Sequence, residues 1–325
     1  MTVVSSREPP AATIASTLNA LGARRFGLSL IALTLILAIV FWLRPNVASY
    51  NGLRLLLNLS PVLVFTALAQ MFIMTAGDID LGIGAFVGLV DCIVAGLLGD
   101  QPALAAVMLA GCAVGYALMG ALIHWRQLPS IVVTLGSSFV WLGLALIVLP
   151  LPGGNVPDWL KAFVRLHPPL VPLPIILALI PMVLAYLILN KWSYGVVLRG
   201  IGGSLSAVER AGRSTLKARM TLYGLAGICG ILAGFCLAGV TTTGDANVGR
   251  GLTLLSIGAV IIGGGEFVGG IVSPIGTVLG ALVMQLSGSL LSFASVAPAW
   301  QYSIQGAILL VILALRVVSW RRRRA

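Results

Sequence analysis

The chain has 325 residues, of which 59% are hydrophobic and 9% are charged, and its mean hydropathy is +1.06. This composition excludes one water-soluble core, because too little polar surface would face water, and repeated apolar runs of about 20 residues are typical of membrane helices. The net charge of +11 does not indicate nucleic-acid binding, because the basic residues lie in short segments between apolar runs and in the tail 321–324. We predict an all-α polytopic membrane protein.

Apolar runs follow one another along the chain, and we predict about ten transmembrane helices, with eight as a lower bound. The runs lie near residues 27–43, 55–75, 80–98, 103–123, 131–150, 172–189, 220–240, 252–265, 273–294 and 299–318.

The basic residues predict how these helices are oriented. With the N-terminus inside the cell, most of the 20 Lys and Arg residues fall on the cytoplasmic side, as the positive-inside rule requires. We therefore expect a protein of the inner cell membrane with both termini in the cytoplasm. Its parts are a cytoplasmic segment 1–26, a transmembrane domain 27–318 and a basic tail 319–325.

Two of the predicted spans are short or interrupted by glycines, which in transporters often marks the transport path. The third contains GDIDLGIG at 77–84, and the eighth ends in GGGE at 263–266. Each region reads as an apolar helix, a glycine-rich break with an acid, and a second helix with regularly spaced glycines. The similarity predicts a parallel repeat, since both regions descend and return in the same sense.

The sequence lacks the motifs of ATP hydrolysis and of common hydrolases. Its three lysines, Lys161, Lys191 and Lys217, do not follow a GxxxxGK[ST] phosphate-binding pattern. There is no HExxH or GxSxG motif, and the four cysteines lie in apolar runs without a CxxC pair. We predict that the chain is not an enzyme and has no catalytic residue, metal ligand or cofactor of its own. Any use of ATP and magnesium would then belong to a partner.

The longest predicted cytoplasmic loop, 190–219, holds six basic residues and one acid, Glu209. Ser206 and Glu209 have the spacing of a helix capping box, and Gly212 is a typical helix stop. The pattern predicts a short helix over about 206–211. A rigid helix suits docking to a partner subunit, because it transmits a push; a plain solvated loop is the alternative interpretation.

Four motifs, in chain order, resemble those of ABC importer permeases of the ribose, xylose and arabinose type. They are GDIDLGIG (77–84), LPSIVVTLGS (128–137), LRGIGGSLSAVERAG (198–212) and GGGEFVGGIVSPIGTVLGALV (263–283). The resemblance implies a fold like that of type II importers and ATP-driven import of a monosaccharide or similar small polar solute. Related permeases for autoinducer-2, nucleosides and branched-chain amino acids keep similar outlines.

The resemblance also implies partners besides the lipid bilayer. They are a second permease subunit, identical or different, a cytoplasmic ABC ATPase and an extracytoplasmic solute-binding protein. Residues of the long loop are expected to couple the permease to the ATPase, namely Arg199, Gly202, Gly203, Ser204, Ser206, Glu209 and Gly212. Polar and aromatic residues on or near the spans are candidates for the solute path, namely Gln70, Asp78, Asp80, Phe86, Asp91, Thr134, Asn247 and Glu266.

The three aspartates have structural alternatives. Asp80 matches the family pattern and is placed to accept backbone N–H bonds at a helix start, whereas Asp78 departs from that pattern and is expected to cap locally. Their i, i+2 spacing does not put them on one helical face, which argues against an acid/base pair. Asp91 lies mid-span and should contact a neighbouring helix or the path. An ion-coupled secondary transporter using these carboxylates is the alternative function.

Overall fold

The computed structural model describes residues 11–267, 269–297, 300–301 and 303–307, with side chains from residue 27 onward. The described residues form helices and no β-strand, with one isolated β-bridge between Gly153 and Gly244. The helices are α1 (Ala11–Leu43), α2 (Tyr50–Leu56), α3 (Ser60–Thr75), α4 (Ile83–Gly96), α5 (Pro102–Arg126), α6 (Ser130–Val148), α7 (Asp158–Val164), α8 (Leu173–Tyr186), α9 (Gly195–Gly203), α10 (Leu205–Arg210), α11 (Thr215–Thr241), α12 (Leu252–Ile262) and α13 (Pro274–Phe293).

Five of the described helices are long and apolar enough to cross a membrane: α5, α6, α8 with its π-helical extension to Lys191, α11 and α13. The pair α2 and α3 forms a sixth candidate, bent by 45°. Three shorter apolar helices are the second part of α1, α4 and α12. The polytopic helical class is thereby confirmed, whereas the predicted span 299–318 lies largely outside the described residues.

α4 and α12 are half-helices that begin inside the protein. They have 14 and 11 residues, so they are about 21 and 17 Å long, shorter than the roughly 30 Å hydrocarbon core of a bilayer. Their first turns meet, because the Gly84 N–H donates to the Thr253 hydroxyl at 3.0 Å. The backbones of Gly84 and Gly249 touch so closely that neither residue has room for a Cβ. Glycine at both positions lets the two half-helices start side by side.

The two half-helices run in opposite directions. α4 ends beside Gly154, in the loop before α7, whereas α12 leads to Gly270, which contacts Gly202 of α9. These two places lie at opposite ends of α8, because the loop before α7 precedes α8 in the chain and α9 follows it. Opposed half-helices that follow extended segments are the pattern of an inverted repeat. The sequence agrees, since GDIDLGIG (77–84) and GDANVGRG (244–251) share Gly-Asp-x-x-x-Gly-x-Gly.

This relation differs from the predicted repeat, which paired the first break with the glycines after α12. Those two regions do run in the same sense, but α12 and α13 pack directly on each other where Gly263 meets Gly276. Glycine serves both extended breaks and close helix packing, so glycine-rich segments alone do not distinguish the two pairings.

α11 is the central helix of the described core, packed against α3, α4 and α5. Gly227 of α11 contacts Tyr116 of α5, and Gly230 contacts Phe86 of α4. Small residues at this spacing let neighbouring helices approach closely. α6 differs, because it packs on α4 but leaves most of its other residues partly or fully exposed.

The loop between α6 and α8 contains a short helix, α7. Its Trp159 is exposed, and Leu160 points into the core. An amphipathic turn with an exposed tryptophan suits the membrane interface.

Candidate functional site

The extended segment 76–82 carries Asp78 and Asp80 from the end of α3 to the start of α4. Within a membrane its backbone groups need protein partners, because lipid offers none. α6 supplies several of them. Ser130 accepts from the Ile79 N–H at 3.3 Å, and Thr134 accepts from the Leu81 N–H at 3.1 Å and donates to the Ile79 carbonyl at 3.2 Å.

Gln70 and the Asp80 side chain satisfy the rest of this segment. With its amide oriented by the bonding partners, Gln70 donates to the Asp80 carbonyl (3.0 Å) and accepts from the Asp80 N–H (3.2 Å). The fully buried Asp80 carboxylate accepts from the Gly82 N–H (2.6 Å) and the Tyr116 hydroxyl (2.8 Å). Gln70, Asp80 and Thr134, all predicted path residues, therefore hold the break in shape in this conformation.

Asp78 faces away from this network, towards α11. Its carboxylate accepts from the Tyr223 hydroxyl at 3.1 Å and lies 3.4 Å from the Arg219 Nε. The expected local cap is wrong, because α4 begins only at Ile83, five residues further on. Both charged side chains are largely buried, about a tenth exposed. The pair therefore joins segments far apart in the chain.

Asp91 lies in α4 and is buried. One carboxylate oxygen accepts the Asp245 N–H at 2.9 Å. The expected contact to a neighbouring element is present, but it reaches the extended segment after α11 rather than a helix. Asp91 thereby ties the C-terminal half of α4 to the extended segment that precedes α12.

The aromatic candidate, Phe86, lies in a cluster with the rings of Tyr116 and Trp141. Phe86 is fully buried, with its ring centroid 4.4 Å from that of Tyr116 and 5.4 Å from that of Trp141. Tyr116 and Trp141 are stacked with centroids 6.0 Å apart. The Phe86 ring is thus covered by other rings in this conformation.

The predicted coupling segment forms a helical hairpin, α9 followed by α10, termed here the docking hairpin (195–210). Ser204 ends α9 and caps α10, because its hydroxyl accepts from the Ala207 N–H at 3.3 Å. The predicted helix is confirmed, but its cap lies two residues before the predicted Ser206. Glu209 does not reach back to the helix start; it accepts from the Thr215 hydroxyl at 3.1 Å.

The docking hairpin has one buried side and one exposed side. Leu198, Ile201 and Val208 are buried in the core, whereas Ser206 is exposed. Gly212, just beyond the hairpin, is exposed as well. Exposed residues also include Gly203, Ser204 and Glu209. Arg199 donates to Asn190, which braces the hairpin against the end of the preceding span. Gly212 has φ = +69°, as a glycine helix stop requires.

The hairpin touches both halves of the membrane domain at one point, termed the glycine junction (Gly202, Thr75 and Gly270). A Cβ on Gly202 would strike the Thr75 carbonyl and would lie 2.7 Å from the Gly270 Cα. Gly270 has φ = +63°, a conformation that favours glycine. Because the contact is backbone to backbone, a shift of the hairpin must also shift the end of α3 and the segment between α12 and α13.

A cavity of about 510 Å³ opens beside the glycine junction. Its lining includes Gly77, Asp78, Arg219 and Phe267, together with residues 201–206 of the hairpin. Glu266 is half-buried on the same turn, and its N–H donates to the Ile271 carbonyl at 2.9 Å. The beginning of the extended segment 76–82 is therefore accessible from the side of the docking hairpin.

A second cavity, of about 350 Å³, lies where the two half-helices begin, and is termed the crossing cavity. It is lined by Leu81, Ala85, Ser138, Phe139, Leu142, Ala246, Arg250 and Thr253. Arg250 falls between the predicted spans 220–240 and 252–265, but its cavity neighbours Ser138 to Leu142 are the central residues of α6. Arg250 is exposed at this depth, where a charge facing lipid costs about 2.5–3.5 kcal/mol or more. Asn247, a predicted path residue, is exposed three positions earlier.

Several residues that sequence reasoning missed complete these arrangements: Tyr116, Ser130, Arg219, Tyr223, Arg250 and Thr253. Each is a polar group in or beside an apolar run, which is a signal that a partner exists. The sequence does not say which partner, because the contacts span 36 to 169 positions.

Comparison with known proteins gives the family. Residues 52–313 match the model described as branched-chain amino acid transport system / permease component. The ribose import permease protein RbsC of Escherichia coli (strain K12) is 26% identical over 292 residues, 87% of this chain and 91% of that protein. The autoinducer 2 import system permease protein LsrC of Yersinia pestis (strain Pestoides F) is 27% identical over 298 residues, 89% of this chain and 84% of that protein. No solved structure matches the chain significantly.

Proposed function

The chain belongs to the family described as branched-chain amino acid transport system / permease component, and on that premise we propose that it is the membrane-spanning subunit of an ATP-driven ABC importer. The relatives named above are import permeases for ribose and for autoinducer 2. The solute of this chain is accordingly a monosaccharide or a similar small polar molecule.

The observation that carries the proposal is the docking hairpin and its glycine junction. ATP-driven movement of a partner subunit would displace the exposed side of the hairpin. The backbone contacts of Gly202 with Thr75 and Gly270 would pass this displacement to the regions next to both half-helices. Because α4 and α12 start at the same level, a small relative shift there alters the path at mid-membrane. This is alternating access driven from the hairpin side.

The proposal assigns partners and an orientation. The hairpin side is cytoplasmic, because the basic residues of 190–219 lie there. A cytoplasmic ATPase consumes ATP and magnesium, a second permease subunit completes the path, and an extracytoplasmic binding protein delivers the solute. The protein then lies in the inner cell membrane with about ten spans and both termini in the cytoplasm.

The three aspartates do not favour the ion-coupled alternative. Asp78 is paired with Arg219, Asp80 with Tyr116, and Asp91 with the backbone of Asp245. An ion site needs several oxygens that converge on one point, whereas these carboxylates bond to different elements at different levels.

The test is uptake by the tagged chain, purified with its native partners and reconstituted in proteoliposomes. Radiolabelled ribose is the first solute offered, and inhibition by other unlabelled solutes identifies a better one. We expect uptake that requires ATP and persists with a protonophore. Uptake that needs no ATP and collapses with the protonophore would overturn the proposal.

A matched pair of variants tests the hairpin. Ser206→Trp places a bulky ring on the exposed hairpin side, whereas Leu151→Trp places one on the exposed loop before α7, where Leu151 is 77% exposed. The ATPase should co-purify at least tenfold less with Ser206→Trp and normally with Leu151→Trp. Equal recovery with both variants would refute docking at this surface.

A further inference from the structure

The crossing cavity has the properties of a site for an anionic group. We propose that it binds a carboxylate or phosphate group of the transported solute, with Arg250 as the main ligand. The inference rests on the proposed import function, because it names the chemical class of solute that the path accepts.

The first argument is depth. The cavity touches Ser138, Phe139 and Leu142, the middle of a helix that runs from Ser130 to Val148 and is long enough to span a bilayer. A guanidinium at this level is too far from either surface for easy contact with lipid headgroups. Intramembrane arginines face water or protein rather than hydrocarbon. The exposed face around Arg250 is therefore wet or covered by protein.

The second argument is charge. Among the described residues, Arg250 forms no salt bridge within 4.0 Å. Asp245, the nearest acid in its own segment, is occupied at one oxygen by the Asn247 N–H at 2.9 Å. Of the described residues that line the cavity, Arg250 is the charged one. A water-containing cleft with a cation of this kind concentrates anions.

The third argument is shape and polarity. The volume of about 350 Å³ suits a small solute rather than a lipid chain. The hydroxyl-bearing residues Ser138 and Thr253 line the cavity beside Arg250, and Phe139 and Leu142 supply an apolar wall. Arginine presents several N–H donors in a fork that matches carboxylate and phosphate oxygens. A sugar acid or a sugar phosphate combines these features.

Thiol labelling of the full chain in native membranes tests the charge of the cavity without transport. Ser138→Cys is introduced after replacement of the four native cysteines. Its rates with an anionic and a cationic methanethiosulfonate are compared. We expect the anionic-to-cationic rate ratio to fall about tenfold on Arg250→Gln and to be retained with Arg250→Lys. Leu151→Cys, outside the cavity, should show the same ratio with either residue at position 250.

Protection of Ser138→Cys identifies the chemical class. Ribonate, ribose 5-phosphate and ribose are compared at constant ionic strength. Protection by either anion supports the proposal if Arg250→Gln abolishes that protection. Whether ribonate or ribose 5-phosphate protects more strongly then distinguishes a carboxylate site from a phosphate site. Equal protection by ribose, protection by none, or a rate ratio that ignores residue 250 overturns it.

These outcomes are separable from those of the import test. Labelling and protection require no ATPase, so the anion site can stand if ATP-driven uptake fails. Conversely, ATP-driven uptake of a neutral sugar that is unaffected by Arg250→Gln would uphold import and reject the anionic class.

Discussion

Gly202→Ala is the sharpest test of the glycine junction, because one methyl group separates contact from collision. An ideal Cβ at this position would strike the Thr75 carbonyl and would lie 2.7 Å from the Gly270 Cα and 2.9 Å from its nitrogen. All three are backbone atoms, which cannot rotate aside. At the next position, Gly203, an ideal Cβ meets only the Gly269 carbonyl, at an ordinary 3.6 Å.

The magnitude follows from two opposed effects. Overpacking a tight contact costs about 1–3 kcal/mol, while replacing glycine by alanine within a helix gains up to about 1 kcal/mol. Gly202→Ala should therefore lose up to about 2–3 kcal/mol of stability or force the hairpin away from Thr75. Gly203→Ala, the matched control, should be neutral or slightly stabilising.

The assays are thermal unfolding of the purified protein and uptake per ATP hydrolysed in proteoliposomes. Gly202→Ala should lower the melting temperature or, where the hairpin shifts instead, lower the coupling ratio severalfold while ATP hydrolysis continues. Gly203→Ala should match the parent protein in both. Parent-like stability and coupling for Gly202→Ala would refute the reasoning that the hairpin acts through this contact.

Two further predictions concern pairs of contacts. Asp78→Ala should destabilise the protein by about 3 kcal/mol, because it leaves the buried Arg219 guanidinium without its carboxylate. The double variant Asp78→Ala/Arg219→Met should recover much of that loss. A double-mutant cycle on unfolding free energies checks this, and simple additivity of the two single changes would contradict the pairing. Gly84→Ala should lower the melting temperature, because its Cβ collides with the Gly249 backbone. In the control, Gly136→Ala, the added Cβ meets nothing within 4 Å, so the melting temperature should not fall. Similar melting temperatures for the two variants would contradict the close approach of the half-helices.

The coarse architecture was predictable, because hydropathy and glycine spacing act locally. Apolar runs indicated the spanning helices, and serine, glutamate and glycine in the loop 190–219 indicated a short helix over about 206–211, stopped by Gly212. The register of its cap was not predictable, since Ser204 and Ser206 are equally good capping residues. The choice depends on where α9 ends, and α9 was not predicted.

The partners of the buried polar residues were not predictable. Asp78 was expected to act locally, yet its partners lie on α11, and only the folded arrangement brings Arg219 beside it. Arg250 was misplaced for a related reason. A basic residue next to glycines resembles an interfacial loop, and nothing local indicates that the chain has re-entered the membrane. The inverted relation between the breaks was visible in the letters GDxxxGxG, but it was hidden by the abundance of other glycines.

The way the first break is held together has a consequence for how the protein is made. During synthesis, Gln70 emerges before the segment it binds, but Ser130 follows Ile79 by 51 residues and Thr253 follows Gly84 by 169. Until those partners arrive, the polar backbone of the break cannot rest stably in hydrocarbon. The first turn of α4 should therefore be among the last parts of the domain to settle at its final depth, after the ribosome has completed both halves.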